Sequence, residues 1–342
     1  MSGAPPPAAD ELEIRPYHPG DEAAIERGFE RAFGVRRPAG EWAWKFPAAE
    51  REGGRRVMVA IAGGEVIAHM AAQPTRFVVD GRELIAGHVV DAFSVRRRGL
   101  ARRGVFARTV DRFFATYGGA DGLAFVIGFP GDRHMRLGES ELGYVAPRPV
   151  PYREKALVTT PRRASPLRRT PAALFLRVAG LRVEEGFRAA AIDDLWGRVA
   201  GRCPVGVVRD GRRASERWTG RPGVEYVHLT AWWRRRAAAW AVARIDGDRL
   251  RWADLLWDGA SPRVLAALEA ALVRRALAAG ARRGELWLGG DPAAEALLEA
   301  RGWHRARHPQ DLGMTAVSFL PDLDPTTIVD RSYVTLGDSD LV

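Results

Sequence analysis

Two tight turns fix the middle of the first half of this chain. Gly63-Gly64 separates the apolar run 57–62 from the run 66–79, and Asp80-Gly81 separates that run from 84–95. Dipeptides of this kind suit turns with positive φ at both central residues, which join antiparallel strands. Three consecutive strands must therefore lie side by side. Residues 12–16 alternate and read as an earlier strand. A helix follows from Asp21, with Ala24, Ile25, Phe29 and Phe33 on one face at helical spacing. After the three strands come a helical segment at 100–117, whose buried side holds Val105, Val110, Phe113 and Phe114, and an apolar strand at 123–128. A short helix at 132–142 is stopped by Gly143. The order is strand, helix, three antiparallel strands, glycine-containing turn, helix, strand, helix, strand, which is a mixed α/β layer arrangement.

The same order returns further on. Strands are expected at 181–187, 226–233, 238–245 and 250–256, the last two joined by Asp246-Gly247-Asp248, with a helix at 192–200 after the first of them. A long amphipathic helix at 262–279, a strand at 285–288, a helix at 292–301 and a strand at 314–320 complete the pattern. Repetition of an element order is an organisational signal even without repeated sequence. The 342 residues suit two domains of about 150 residues each. The expected division is a disordered leader at 1–10, a first domain at 11–158, a linker at 159–179, a second domain at 180–320 and a tail at 321–342. The stretch 160–170 is rich in Pro and Arg and offers little to bury.

The net charge of +10 raises the possibility of a nucleic-acid partner. Only Lys45 and Lys155 among the 52 basic side chains are lysines, so the other 50 are arginines, and they are spread along the whole chain. A solvated basic surface accounts for such scatter, and nucleic acid is not expected as a partner. The charge does favour an anionic ligand. Cys203 is the only cysteine, which excludes an intramolecular disulfide and a cysteine metal site. It lacks a histidine at a suggestive spacing and is not expected to be a nucleophile. No signal peptide and no membrane span are read, so the expected location is cytoplasmic.

The chemistry concentrates where the strand 84–95 meets the helix 100–117. The connection is Arg96, Arg97, Arg98, Gly99, Leu100 and Ala101, followed by Arg102. Gly99 permits backbone angles closed to other residues, and Ala101 is small enough for a phosphate to approach. The first amides of the helix have no internal partner and carry partial positive charge. Together with the arginines they form a pyrophosphate site.

This segment resembles the signature of the GNAT superfamily of N-acetyltransferases, an Arg or Gln, two residues, Gly, one residue, then Gly or Ala, between a strand and a helix. Gly128-Phe129-Pro130, Leu137 and Leu142-Gly143-Tyr144 resemble a second segment of that family. Residues 11–155 carry the resemblance. The second half is similar only in element order and has Trp257-Asp258-Gly259-Ala260-Ser261-Pro262 where the loop would stand. The resemblance implies a tandem GNAT arrangement of α/β (α+β) class with a degenerate second half. Each domain would be a mixed, mostly antiparallel sheet flanked by helices. Arg209-Asp210, Arg217-Trp218, Pro222 and Tyr226 resemble a segment of such second halves. The ending Thr335-Leu336-Gly337-Asp338-Ser339-Asp340 resembles their tail, for which docking is the leading expectation.

The resemblance also implies roles. The donor would be acetyl-CoA as cosubstrate, without metal, and the acceptor an amine of a small molecule or peptide that attacks the thioester directly. The protein would act as monomer or homodimer. The main chain of Phe93, Ser94 and Val95 would lie along the pantetheine arm, with Arg96, Arg97, Arg98, Gly99, Leu100, Ala101 and Arg102 on the pyrophosphate. Asp91, His134 and Glu139 are the candidates for proton transfer. Three positions depart from the family. No Pro-x-Tyr precedes the loop, Gly131 replaces a usual Asn, and the tyrosine of the last core helix would fall near Gly138 or Glu139. Rival readings are an aminoacyl or cell-wall-type transferase of related fold, and a non-catalytic module that binds coenzyme A or a polyanion. Trp232 and Trp233 must face opposite sides of their strand, one of them joining Trp240 in the core.

Overall fold

A computed structural model describes residues 12–47, 54–95, 102–157 and 180–342. The expected leader 1–10 and the whole of the linker 159–179 lie outside these residues. The chain forms two compact units. The first comprises residues 1–75, 84–147 and 314–326, and the second residues 76–83, 148–313 and 327–342.

The first unit runs β1 (Glu13–Pro16), α1 (Glu22–Phe33), α2 (Glu41–Lys45), β2 (Arg56–Ala62), β3 (Glu65–Val79), β4 (Arg82–Ser94), α3 (Arg102–Tyr117), β5 (Phe125–Gly128) and α4 (Asp132–Glu141). Both turns have the backbone their sequences demand: φ is 54° and 73° at Gly63 and Gly64, and 48° and 85° at Asp80 and Gly81. The strands lie in sequence order from β1 to β5. Alternation along β2 sorts side chains between two faces. Met58 and Ala60 pack with Val105, Phe106, Val110 and Phe113 of α3, while Val57 and Val59 pack with Ile25 of α1 and Trp42 of α2. Burying each large side chain in such a layer contributes about 1.5–3 kcal/mol.

The second unit contains β6 (Arg148–Pro149), β7 (Tyr152–Ala156), β8 (Leu181–Glu185), α5 (Ala189–Val199), β9 (Val205–Val207), α6 (Gly211–Trp218), β10 (Val227–Trp233), β11 (Arg236–Asp246), β12 (Arg249–Trp257), α7 (Pro262–Ala278), β13 (Arg283–Gly289), α8 (Pro292–Ala300) and β14 (His304–Arg305). Its main sheet has the order β14-β7-β13-β12-β11-β10-β8. The pair β12/β13 is parallel and the other pairs are antiparallel. Val264, Leu265, Leu268 and Leu272 of α7 lie in the core of this unit. The chain ends with β15 (Gly313–Ser318), α9 (Pro325–Arg331), β16 (Val334–Thr335) and a single 3-10 turn, Leu336–Asp338.

Three features correct the sequence division. The last strand expected for the second half is β15, and it pairs with β5 of the first unit, Thr315 opposite Gly128. The strand expected to close the first half after the short helix is met by β7, which belongs to the second unit, where Tyr152–Ala156 pairs with β13. The tip of the β3/β4 hairpin also groups with the second unit, Phe77–Val79 pairing with Val205–Val207. The tryptophans differ too. Trp240 is fully buried, but Trp232 and Trp233 are both only half-buried.

The C-terminal segment fills an opening in the second sheet. β12 and β13 pair only from Arg249 opposite Arg283 to Trp252 opposite Leu286. Beyond that point β13 pairs instead with β16, Leu288 opposite Thr335. The Tyr333 hydroxyl donates to the Leu255 carbonyl at 2.7 Å. Arg209, 2% exposed at its side chain, holds this segment from beneath. Its Nε donates to Asp254 at 2.9 Å, and its Nη2 donates to Thr335 Oγ1 at 3.1 Å and to Asp338 at 2.5 Å. Burial works against the charged guanidinium, but Asp254 and Asp338 outweigh it and hold its pKa above the ordinary value. The Arg209 segment and the Thr335–Asp338 tail, two separate resemblances in the sequence, are thus two sides of one contact.

Candidate functional site

The first unit has the corresponding opening. β4 pairs parallel with β5 only at Ala86, Gly87 and His88, opposite Phe125, Val126 and Ile127. β4 then continues to Ser94 while β5 ends at Gly128. The free end of β4 leads directly through residues 96–101 into α3. Those six residues lie outside the described residues, as does the side chain of Arg102, so the pyrophosphate assignment remains a reading of the sequence.

Of the residues expected to line the pantetheine arm, Phe93 is buried and Ser94 and Val95 are half-buried. Phe93 stacks on His69 with centroids 5.2 Å apart. α1 presses close to it at Gly28, where a Cβ would stand 2.9 Å from the Phe93 ring. The Val95 amide donates to the Ile67 carbonyl at 2.9 Å, a bond within the sheet.

Asp91 lies within β4 with φ of 54°, a left-handed conformation uncommon for a residue other than glycine. Its carboxylate is 2.7 Å from Lys45 Nζ and 3.0 Å from Arg37 Nη1, and its side chain is 2% exposed. Both oxygens are therefore engaged by cations, which fits a positioning group that ties the segment around α2 to β4 better than the free base expected. His69 Nδ1–H donates to the Asp91 carbonyl at 2.8 Å. Its Nε2 is buried without a partner. Burial pushes the His69 pKa down to about 4, against the raising effect of Asp91. The unfolded chain, with a histidine near 6.5, then binds a proton that the folded chain refuses. Stability should be lost as pH falls from about 6.5 toward 4, by up to roughly 3 kcal/mol. In His69→Gln, denaturant unfolding at pH 7 and pH 4.5 should show that loss much reduced.

Glu26 on α1 was not singled out in the sequence. It lies 3.7 Å from Arg37 Nε, and burial raises its pKa above the usual carboxylate value. Charged residues on amphipathic helices are common on solvated faces, so only its neighbours mark it.

His134 and Glu139 separate. Glu139 is exposed on α4 and takes no part in the cluster around His134. His134 is half-buried, its ring against Phe106, one turn into α3. Its Nε2 is 3.2 Å from the Tyr144 hydroxyl, and the two rings stack 6.0 Å apart. Burial lowers the His134 pKa and raises that of Tyr144, so the neutral imidazole accepts from a protonated phenol. Tyr144 takes the position beside α4 where the helix itself lacks a tyrosine. A Cβ at Gly138 would collide with its ring, so the glycine in α4 and the tyrosine after it form a complementary pair. Gly143, with φ of 70°, turns the chain so that Tyr144 can fold back. His88 is buried against Phe129 and belongs to the core. Cys203 is buried, and burial raises its thiol to about 11, so it is no nucleophile.

Residues 13–137 match a family model described as an acetyltransferase (GNAT) domain. This part of the chain is similar to a GNAT acetyltransferase domain, which supports an acyltransferase. No curated protein matches the chain in sequence. Solved structures share its fold at low identity. A conserved protein from Enterococcus faecalis V583 is 11% identical with a TM-score of 0.63, over 94% of this chain and 74% of that one. A tandem GNAT protein from the clavulanic acid biosynthesis pathway is 14% identical with a TM-score of 0.56, over 92% of this chain and all of that one. The N-myristoyltransferase of Saccharomyces cerevisiae with bound myristoyl-CoA is 11% identical with a TM-score of 0.57, over 100% of this chain and 92% of that one. Two mixed sheets flanked by helices thus agree with the two-domain GNAT fold expected. No helix among the described residues is long and apolar enough to cross a membrane.

Proposed function

We propose that the protein is an N-acetyltransferase that moves an acetyl group from acetyl-CoA to an amine of a small molecule or peptide. The observation that carries this is the opening of the parallel pair β4/β5, which leads straight into the arginine-rich loop and α3. The loop residues 96–101 and Arg102 hold the pyrophosphate, and the thioester enters the opening. The acceptor nitrogen attacks the thioester carbonyl, the C–S bond breaks, and coenzyme A leaves as thiolate. Glu26, whose raised pKa brings it nearer the operating pH, takes the proton lost by the incoming ammonium. Tyr144, with His134 behind it, returns a proton to the thiolate. Asp91 acts through Lys45 and Arg37 to hold the acceptor side in place.

Thiol release from acetyl-CoA in the presence of a panel of small amines and peptides tests the activity. Release should occur only with an amine present. Coenzyme A binding with no release for any amine would contradict it. In the active assay, Tyr144→Phe should lower kcat by about 10²-fold and leave the acetyl-CoA affinity unchanged.

A further inference from the structure

The second unit has a small cavity, close in size to a single water or a small anion, at the point where α6 meets the C-terminal segment. Arg209, Arg213 and Arg217 all line it, with Asp254 and Asp338 as the only carboxylates. The two carboxylates are already occupied. Asp254 takes the Arg209 Nε, the Thr335 hydroxyl at 3.0 Å and the Leu255 amide at 2.9 Å. Asp338 takes the Arg209 Nη2 and the Thr335 amide at 2.8 Å. Three guanidinium groups then face two carboxylates, which leaves one positive charge of the cluster unbalanced.

Arg217 is 4% exposed. One of its terminal nitrogens donates to the Ser339 carbonyl, while its Nε is buried with no partner. Among the described residues Arg213 has no side-chain hydrogen bond or ion pair. Asp338 and Glu216 reach it only as more distant charges, as Asp340 does Arg217. Burial lowers the pKa of both, to about 10 for Arg217, where the neighbouring Arg213 and Arg221 add to the effect. Arg213 is half-buried and Arg217 buried, and a buried guanidinium with an unpaired N–H beside a second one is costly. An anion between them removes that cost with charge-assisted hydrogen bonds.

We infer that Arg213 and Arg217 form a binding site for a small monovalent anion, of halide or carboxylate size, roofed by Gly337 and Asp338 of the C-terminal segment. A bare carboxylate could arrive as a free ion or at the end of a larger molecule, and the cavity admits only the head group. Phosphate and bulky organic acids are too large. The site lies wholly in the second unit and does not rest on the acyl-transfer reading.

The test is thermal unfolding of the full chain at constant ionic strength, with sodium gluconate replaced stepwise by chloride and, in a second arm, by formate. The wild type should gain several degrees along a saturable curve in at least one arm. A chloride response alone marks a halide ion, and a stronger formate response marks a carboxylate site. Arg213→Gln removes one donor without touching the ion pairs of Arg209. It should unfold cooperatively in gluconate and lose the saturable rise, whereas Arg213→Lys should keep part of it. No saturable response in the wild type, or the same response in Arg213→Gln, overturns the proposal.

Discussion

Arg209→Ala should destabilise the second unit by about 3–5 kcal/mol, the usual cost of removing one member of a buried ion-pair cluster. The cost comes mainly from what remains. Asp254 and Asp338 would be left side by side, buried and without a cation, and Thr335 would lose a partner. For a unit of this size that is a fall in melting temperature of about 6–20 °C. Neutralising the carboxylates separates charge from packing. Arg209→Met combined with Asp254→Asn and Asp338→Asn should recover much of the loss, because a polar or apolar replacement of a whole buried cluster is tolerated far better than half of one. Thermal melts of the single and triple variants check both statements. Equal destabilisation of the two would mean that Arg209 acts by shape alone. The same variant should free the C-terminal segment, since Leu336, Gly337 and Asp338 hold no other ion pair to the sheet. Protease cleavage near Tyr333 would report that release.

The local structure of both units was legible in the sequence because local physics decides it. Gly63-Gly64 and Asp80-Gly81 can make only a few turns, and those turns set three strands. The amphipathic spacing of α3 and α7 chose their buried faces without outside help. What escaped was the exchange of strands. β15 and β7 are short runs, the latter mostly charged, and pairing over such sequence distances leaves no local mark. The C-terminal segment was expected to dock, and only the three-dimensional placement of Arg209 shows what Thr335 and Asp338 dock on.

The site was legible to a similar depth. Motif spacing pointed to His134, and the nearby Leu142-Gly143-Tyr144 contained its partner. That Tyr144 folds back over Gly138 depends on the missing Cβ and on the left-handed Gly143, which no residue count reveals. Asp91 was singled out for its place on β4. Its partners Arg37 and Lys45 come from a segment far away in sequence, and no spacing marks them as the groups that engage both of its oxygens. Glu139 shares α4 with His134 but projects to solvent, because five residues along a helix is a different face.

The asymmetry of the two openings gives the account its shape. Both sheets have one parallel pair that diverges. In the second the chain's own ending occupies the divergence. In the first, β4 and β5 diverge just before the arginine-rich loop, and no strand among the described residues pairs between them. The proposed function accordingly expects a single cofactor site per chain, in the first half.

Titration calorimetry with acetyl-CoA on the wild type and on Gly99→Glu tests that claim most directly. A glutamate at this position sets a carboxylate against the pyrophosphate and replaces the residue that lets the loop approach it. The wild type should bind one acetyl-CoA per chain, and Gly99→Glu should show at least about a hundredfold weaker binding, a loss of roughly 2.7 kcal/mol. Two equivalents bound by the wild type, or the same affinity in both proteins, would contradict the account.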